Sequence, residues 1–343
     1  MQRILIVGAG AVGQVYGHFL HRGGAEVSFF VKPSHAEECA NGFTIYRCRR
    51  NGLGAGEHFV PAHVLTDIEE VALTVWDQVW LAVPSDALRS GWLPSLKKAI
   101  GDTTLVMLQP DMDDRELVLQ SFEDAQVVYG MVNFLSYQTP LPGMPFHHPD
   151  IGKVGTAFLP LPMMHAEFSG HWDRLPPVME ALSNGRYTAR VQQNVPRIYA
   201  DRAAMMMPLV ALLEKEGWVI NRMLASPELS LAVDAASEAL NVVASKFHAN
   251  RNLTERIFGV FWVRMVLPVL RWLAPMDAES YLKYQFQKTR RQTRLMLQTF
   301  VDEGRAHQLP VESLQKWLRS LPYVADEPVA NTQSSTSKEH AAA

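Results

Sequence analysis

Apolar residues in this chain recur first at the spacing of strands and later at the spacing of helices. Ile4–Val7 is a short apolar, β-branched run, and Gln14–Arg22 after it has a helical rhythm that Gly23-Gly24 ends. Glu26–Val31 (EVSFFV), Gln78–Val83 (QVWLAV), Thr103–Gln109 (TTLVMLQ) and Val127–Asn133 read as further strands. Ser34–Asn41, with Ser34 as its N-cap, and Ala87–Ile100 read as helices between them. Phe43–Cys48 and Phe59–Val64 read as extended segments around a polar, glycine-rich loop, Arg49–Gly56, and Ile151–Leu159 as a late strand. Strands alternating with helices predict βαβ units and a parallel sheet. From about His165 strand signals become scarce. Long helical periods run over Trp172–Leu182, Pro196–Leu213, Glu228–His248, Leu253–Leu273 and Ala278–Gln308. The pattern therefore predicts an α/β domain over residues 1–164 and an all-helical domain over 165–323. A polar tail over 324–343 is expected to be disordered.

The junction of the first strand and first helix carries the chemistry. Gly8, Gly10 and Gly13 form G-x-G-x-x-G, with a strand signal before it and a helix signal after it. Gly8 permits the tight turn, Gly10 lets the backbone approach a pyrophosphate, and Gly13 lets the helix pack closely on the strand. The loop Gly8-Ala9-Gly10-Ala11-Val12-Gly13 is thus expected to hold phosphates on free N–H groups at a helix N-terminus. This makes the first domain a Rossmann-like dinucleotide-binding domain. In an NAD-preferring site a carboxylate near the end of the second strand holds the ribose 2′-hydroxyl. Here the strand runs into Val31, Lys32 and Pro33, and a cation at that place suits the 2′-phosphate of NADP. Right-handed crossovers place the strand ends Val83-Pro84 and Gln109-Pro110 beside the glycine loop.

Composition narrows the class without changing it. The chain has 343 residues, 48% hydrophobic and 20% charged, enough for two cores. A formal net charge of −3 gives no reason to expect nucleic acid as a partner. Two cysteines, Cys39 and Cys48, fit a reducing compartment, and with the first strand at the N-terminus a cytoplasmic protein is expected.

These residues resemble the ketopantoate reductase family. The likeness rests on ILIVGAGAVG, on Lys32 at the second strand's end, and on GFTIY (Gly42–Tyr46) and LVMLQ (Leu105–Gln109). It continues in MPLVALL (Met207–Leu213), similar to the family's N-P-L-T-A-L helix, and GRAHQLPVE (Gly304–Glu312). The resemblance implies a Rossmann domain, a helical domain, NADPH as cofactor and reduction of a 2-oxo acid. The departures fall on the reacting groups. The family's L-Q-N-G loop is here Leu108-Gln109-Pro110-Asp111, and its strand-end Lys corresponds to Pro84. Its catalytic Lys falls in register on Tyr199, its helix Asn positions on Ala203 and Met207, and its substrate-holding Glu on Gln292.

Carbonyl reduction needs a hydride donor, a proton donor and usually a cation for the carboxylate. Tyr199 and Arg202, three apart on a helix, share a face and fit the last two roles. The cluster Arg290-Arg291-Arg294 is an alternative clamp or a solvated face. Asp111, Asp113 and Asp114 lie at a helix start, where carboxylates stabilise the dipole, and read as structural. His147-His148 lack a partner pair at ligand spacing, so no metal is expected. Ile257–Leu273 carries Arg264, Pro268 and Arg271 and is too short to span a membrane. It is expected to be buried or to form a homodimer, with an apolar substrate wall or contact with a membrane surface as alternatives. Two functions stay open: an NADPH-dependent reductase of a small carbonyl substrate, or an NADP(H)-binding protein without turnover that serves as a redox sensor or partner-binding subunit.

Overall fold

A computed structural model describes residues 1–50, 52–143, 150–161, 165–274 and 276–321. Twelve strands lie among them: β1 (Arg3–Val7), β2 (Glu26–Phe30), β3 (Phe43–Arg49), β4 (Gly52–Phe59), β5 (Val64–Leu65) and β6 (Gln78–Leu81) in the first third. They continue as β7 (Thr104–Met107), β8 (Val127–Met131), β9 (Phe134–Thr139), β10 (Gly155–Pro160), β11 (Ala166–Gly170) and β12 (Ala189–Val191). An eight-stranded sheet has the order β12-β11-β8-β7-β6-β1-β2-β5, and a four-stranded sheet the order β4-β3-β10-β9.

In the large sheet β1 pairs in parallel with β2 and β6, and β7 with β6 and β8. Ile4 and Ile6 join Trp80, Val106 and Val128 in the core on one face, whereas Leu5 and Val7 join Val79, Leu81 and Leu105 on the other. Helices cover both faces, which is why these strands read as unbroken apolar runs. The helix Ala11–Arg22 is buried from Gly13 to Leu20 because the small sheet lies over it. Tyr16 packs on Trp80 and Phe134, and Phe19 stacks on Tyr187.

Several boundaries differ from the sequence pattern. The expected loop Arg49–Gly56 is largely strand: β4 pairs with β3, Arg49 opposite Gly52 and Tyr46 opposite Gly56. Gly56 makes room for the Tyr46 ring, since a Cβ there would lie 2.7 Å from it. Ala87–Ile100 breaks into Ser85–Leu88 and Leu93–Ile100, with Gly91 at φ +78 between them. Ser34 is not an N-cap; it lies inside a 3-10 turn, Pro33–His35, ahead of the helix Ala36–Ala40. Strands also continue past residue 164. β11 runs antiparallel to β8 and parallel to β12, and the helix Leu175–Asn184 packs on Ala11–Arg22. β11 carries one large apolar residue, Phe168, too few for an alternation to register.

Beyond β12 the chain is helical. The helices Val195–Lys215 and Leu229–Lys246 pack along each other through Ala200, Ala204 and Ala211 on one and Ala232, Ala236 and Ala239 on the other. Small side chains permit that close approach. Arg290–Ala306 and Glu312–Ser320 complete this core with Phe300 and Trp317. Of the segment Ile257–Leu273, expected to be buried or to form a homodimer, Val260–Leu273 is a surface helix in which only Val263 is fully buried within the chain. No described helix is long and apolar enough to cross a membrane. His147-His148 and the tail 324–343 lie outside the described residues.

Candidate functional site

Each glycine of the loop does a different job. Gly8 has φ +98, and a Cβ there would lie 2.8 Å from the Val83 side chain. Its N–H donates to the Phe30 carbonyl at 3.0 Å, which joins the turn to β2. A Cβ on Gly13 would lie 2.3 Å from the Gly8 carbonyl oxygen, so helix and strand touch backbone to backbone. Gly10 is the reverse case. It is the N-cap of Ala11–Arg22, extended at φ −68 and ψ 175, and a Cβ on it would meet nothing within 4 Å. No side chain caps this helix start. Uncapped first-turn N–H groups under open space fit a pyrophosphate. Ala9, Ala11 and Val12 are half-buried around the opening, and Lys32 is exposed just beyond β2.

Gln14, one turn into the helix, gave no signal in the sequence. Its amide donates to the Ala9 carbonyl at 2.8 Å, and the Thr156 hydroxyl on β10 donates to its Oε1 at 2.5 Å. The small sheet thus braces the phosphate loop from behind. The role of Gln14 follows from burial beneath β10, which the local sequence does not record.

The neighbouring strand ends are tied to one another. Val83 packs against Gly8, and Pro84 is the N-cap of Ser85–Leu88. The Gln109 amide donates to the carbonyls of Leu81 at 3.0 Å and Val83 at 2.8 Å, while its Oε1 accepts from the Leu108 N–H. Its side chain therefore staples β7 to the end of β6. The residues after Pro110 fasten this edge to the helical half. Asp114 accepts from the Ser85 hydroxyl at 2.5 Å and from Arg89 at 2.8 Å. Asp111 accepts from the Asp113 N–H and from the Thr299 hydroxyl at 3.3 Å. Burial, with the Asp114 charge adding to it, pushes the Asp111 carboxyl up to about 7. Asp113, Glu116 and Glu303 bring carboxylate oxygens within 4.8 Å of one another. The cation among them is Lys246, whose Nζ stands 2.9, 2.9 and 3.0 Å from the three.

Tyr199 and Arg202 do share a face, and both reach the end of β8. The Tyr199 hydroxyl accepts from the Val132 N–H at 3.2 Å, and burial pushes the phenol up to about 12. Arg202 donates to Asn133 Oδ1 at 2.6 Å and lies 4.0 Å from Glu167. Tyr199 borders a cleft with Gln109, Pro110, Asp111, Arg115 and Tyr129. Ala203 is buried and Met207 nearly so, both in the helical core. Of the arginine cluster, Arg290 pairs with Glu214 inside the helical half.

A family model described as ketopantoate reductase PanE/ApbA matches residues 4–154. No curated protein sequence matches the chain. Among solved structures, a PanE/ApbA family ketopantoate reductase from Ralstonia eutropha JMP134 superposes with a TM-score of 0.70 at 16% identity, covering 92% of this chain and 96% of that one. A 2-dehydropantoate 2-reductase from Methylococcus capsulatus gives 0.66 at 16% identity, over 92% and 94%. D-mandelate dehydrogenase, solved with NADH and anilino(oxo)acetate, gives 0.65 at 14% identity, over 92% and 96%. At such identity these structures speak for the fold. Residues 4–154 thus match the ketopantoate reductase PanE/ApbA family, in a chain that over 92% of its length has the fold of solved ketopantoate reductases at 16% identity.

Proposed function

We propose that the chain is an NADPH-dependent oxidoreductase that reduces a 2-oxo acid or a related small carbonyl compound. The observation that carries this reading is the open space over Gly10, at an uncapped helix start held tightly by Gly13. The family of the first domain supports it, as do the names of structural neighbours that act on such acids. Gly8 to Gly13 would hold the pyrophosphate, and Lys32 the 2′-phosphate. Bound NADPH supplies the hydride. Tyr199, whose phenol keeps its proton at neutral pH, would donate that proton to the carbonyl oxygen. Arg202 would take the substrate carboxylate in exchange for Asn133.

A second reading, a cofactor-binding protein without turnover, draws on the engagement of Gln109, Asp111, Tyr199 and Arg202 with partners in the protein itself. Two measurements separate the readings. NADPH oxidation is followed against a panel of 2-oxo acids that includes ketopantoate, and NADPH and NADH are titrated into wild type and Lys32→Asp. The reductase reading expects turnover on at least one acid, with ketopantoate a poor substrate. Tight NADPH binding with no turnover across the panel favours the second reading. Equal affinity for the two nucleotides in wild type would refute the role given to Lys32.

A further inference from the structure

The surface helix Val260–Leu273 presents an apolar face to solvent. Phe261 is 79% exposed and Trp272 77%, with Met265 and Val269 more than half exposed between them. These positions recur at helical spacing, so they form one stripe, and the exposed Pro268 lies within it. Leu273, 61% exposed, flanks it at the C-terminal end. Phe261, Met265, Val269 and Trp272 alone expose roughly 550 Å², at the top of the roughly 300–600 Å² typical of the largest patch on a monomer. The opposite side of the helix is held by the core: Val263 is buried, and Val260 and Leu267 pack against the helical bundle.

The charge on the helix itself is of one sign. No acidic residue occurs between Glu255 and Asp277, whereas Arg256, Arg264 and Arg271 do. Arg264 and Arg271 are seven apart and so lie along one flank of the stripe. Arg264 donates to the Leu224 carbonyl, which positions the guanidinium without neutralising it. Arg271 reaches Asn221 and Glu279. Over residues 251–294 the sequence has nine Lys and Arg against three Asp and Glu, although the whole chain is net −3. Lys283 and Lys288 in that stretch are exposed.

We propose that this helix docks the protein on an anionic lipid surface, lying in the plane of the headgroups. Phe261, Met265, Val269 and Trp272 would enter the acyl boundary, with Arg264 and Arg271 at phosphate level. An aromatic and aliphatic face bordered by arginines, on a helix too short to span, is the physical form of an interfacial helix. A lipid surface matches both properties of the patch, its greasiness and its positive charge. A second copy matches only the first. Paired with itself antiparallel, this face brings Arg264 and Arg271 of both copies to the same side, and paired in parallel it sets them on opposite sides; in either case the helix offers no acid to meet them.

The test uses the full chain in flotation with phosphatidylcholine vesicles, with and without phosphatidylserine, and sedimentation equilibrium without lipid. Binding is expected on the phosphatidylserine vesicles and to be about tenfold weaker on phosphatidylcholine alone, with a similar loss in high salt. The double variant Phe261→Ser/Trp272→Ser should lose binding, and Arg264→Glu should weaken it by about fivefold or more. Both changes are on exposed side chains, and an unaltered melting temperature checks that each variant is folded. Absence of flotation on either vesicle would overturn the proposal, as would equal binding to both. A stable dimer that Phe261→Ser/Trp272→Ser returns to monomer, without vesicle binding, would assign the face to a second copy instead.

Discussion

Two alanine substitutions in one loop should have opposite consequences. At Gly10 the backbone is in a region open to any residue, and a Cβ meets nothing within 4 Å. Gly10→Ala loses about 0.5–1 kcal/mol as an N-cap but gains about 0.4–1 kcal/mol by restricting the unfolded chain. Its net effect on stability should stay within about 1 kcal/mol. The methyl group would nevertheless stand where a phosphate must approach the helix N–H groups. Loss of one charge-assisted hydrogen bond costs about 1.5–3 kcal/mol, or roughly ten- to hundredfold in NADPH affinity. At Gly13 a Cβ would lie 2.3 Å from the Gly8 oxygen and 3.2 Å from the Ala82 Cβ. The first obstacle is backbone, so Gly13→Ala should cost at least about 1–3 kcal/mol, as overpacking does. The assay is NADPH titration by fluorescence beside thermal unfolding of each variant. A Gly10→Ala protein with unchanged NADPH affinity would refute the assignment of the open space to phosphate. An unchanged melting temperature for Gly13→Ala would refute the backbone contact.

Three further changes probe the cleft and its fastening. Tyr199→Phe should lower turnover about a hundredfold or more with little change in KM, and Arg202→Ala should mainly raise KM for carboxylate substrates; unaltered steady-state kinetics in both would move the reacting groups elsewhere. Asp111 has its carboxyl raised from 3.8 to about 7 by burial, so its contribution to stability is greatest in acid and is lost as pH rises from about 4 to 7. Asp111→Asn does not ionise, so its melting temperature relative to wild type should climb between pH 5 and pH 8, and a difference flat in pH would contradict this. Lys246→Met leaves three carboxylates without their cation and should cost about 2–4 kcal/mol, less than a fully buried pair because Glu116 is 59% exposed. Millimolar calcium should restore part of that loss in the variant and do nothing to wild type, both read from melting temperatures.

The parts of this fold that could be read from sequence are those in which local and tertiary preferences agree. β1, β6 and β7 are buried on both faces, so their apolar runs needed no knowledge of neighbours. The glycine loop was equally legible, because Gly13 answers to the Gly8 carbonyl within the same strand–turn–helix unit and Gly8 to the positive φ of its turn. β4 was hidden because three glycines and a histidine make a poor strand signal, and only the Tyr46 ring explains why Gly56 belongs there. β11 and β12 were hidden because strands this short acquire their identity from the strands they join, β12 at the sheet's edge and β11 between it and β8. The helix Val260–Leu273 misled in another way: its apolarity was plain, but apolarity alone does not say whether protein or something else covers a face.

At the cleft, residue types were legible and commitments were not. Gln109, Asp111, Tyr199 and Arg202 were visible as polar groups near strand ends or on one helical face, yet each is engaged with a partner distant in sequence. Those engagements differ in how replaceable they are. Gln109 holds two strand carbonyls that would be left without donors if it moved, and Asp111 has a side chain only 1% exposed. The Tyr199 hydroxyl accepts a backbone N–H and keeps its own proton available, so donation to a substrate need not break that bond. Arg202 is 31% exposed, and its main partner is the neutral amide oxygen of Asn133. A carboxylate brings its own charge to a guanidinium and can take it bidentately, which a single amide oxygen cannot. On the proposed reading a substrate carboxylate would replace Asn133 at Arg202, whereas moving Gln109 would leave two strand carbonyls without donors and moving Asp111 would break its bonds from Asp113 and Thr299. On that same reading a 2-oxo acid would place its carboxylate at Arg202 and its carbonyl toward Tyr199, the one of the two that lines the cleft.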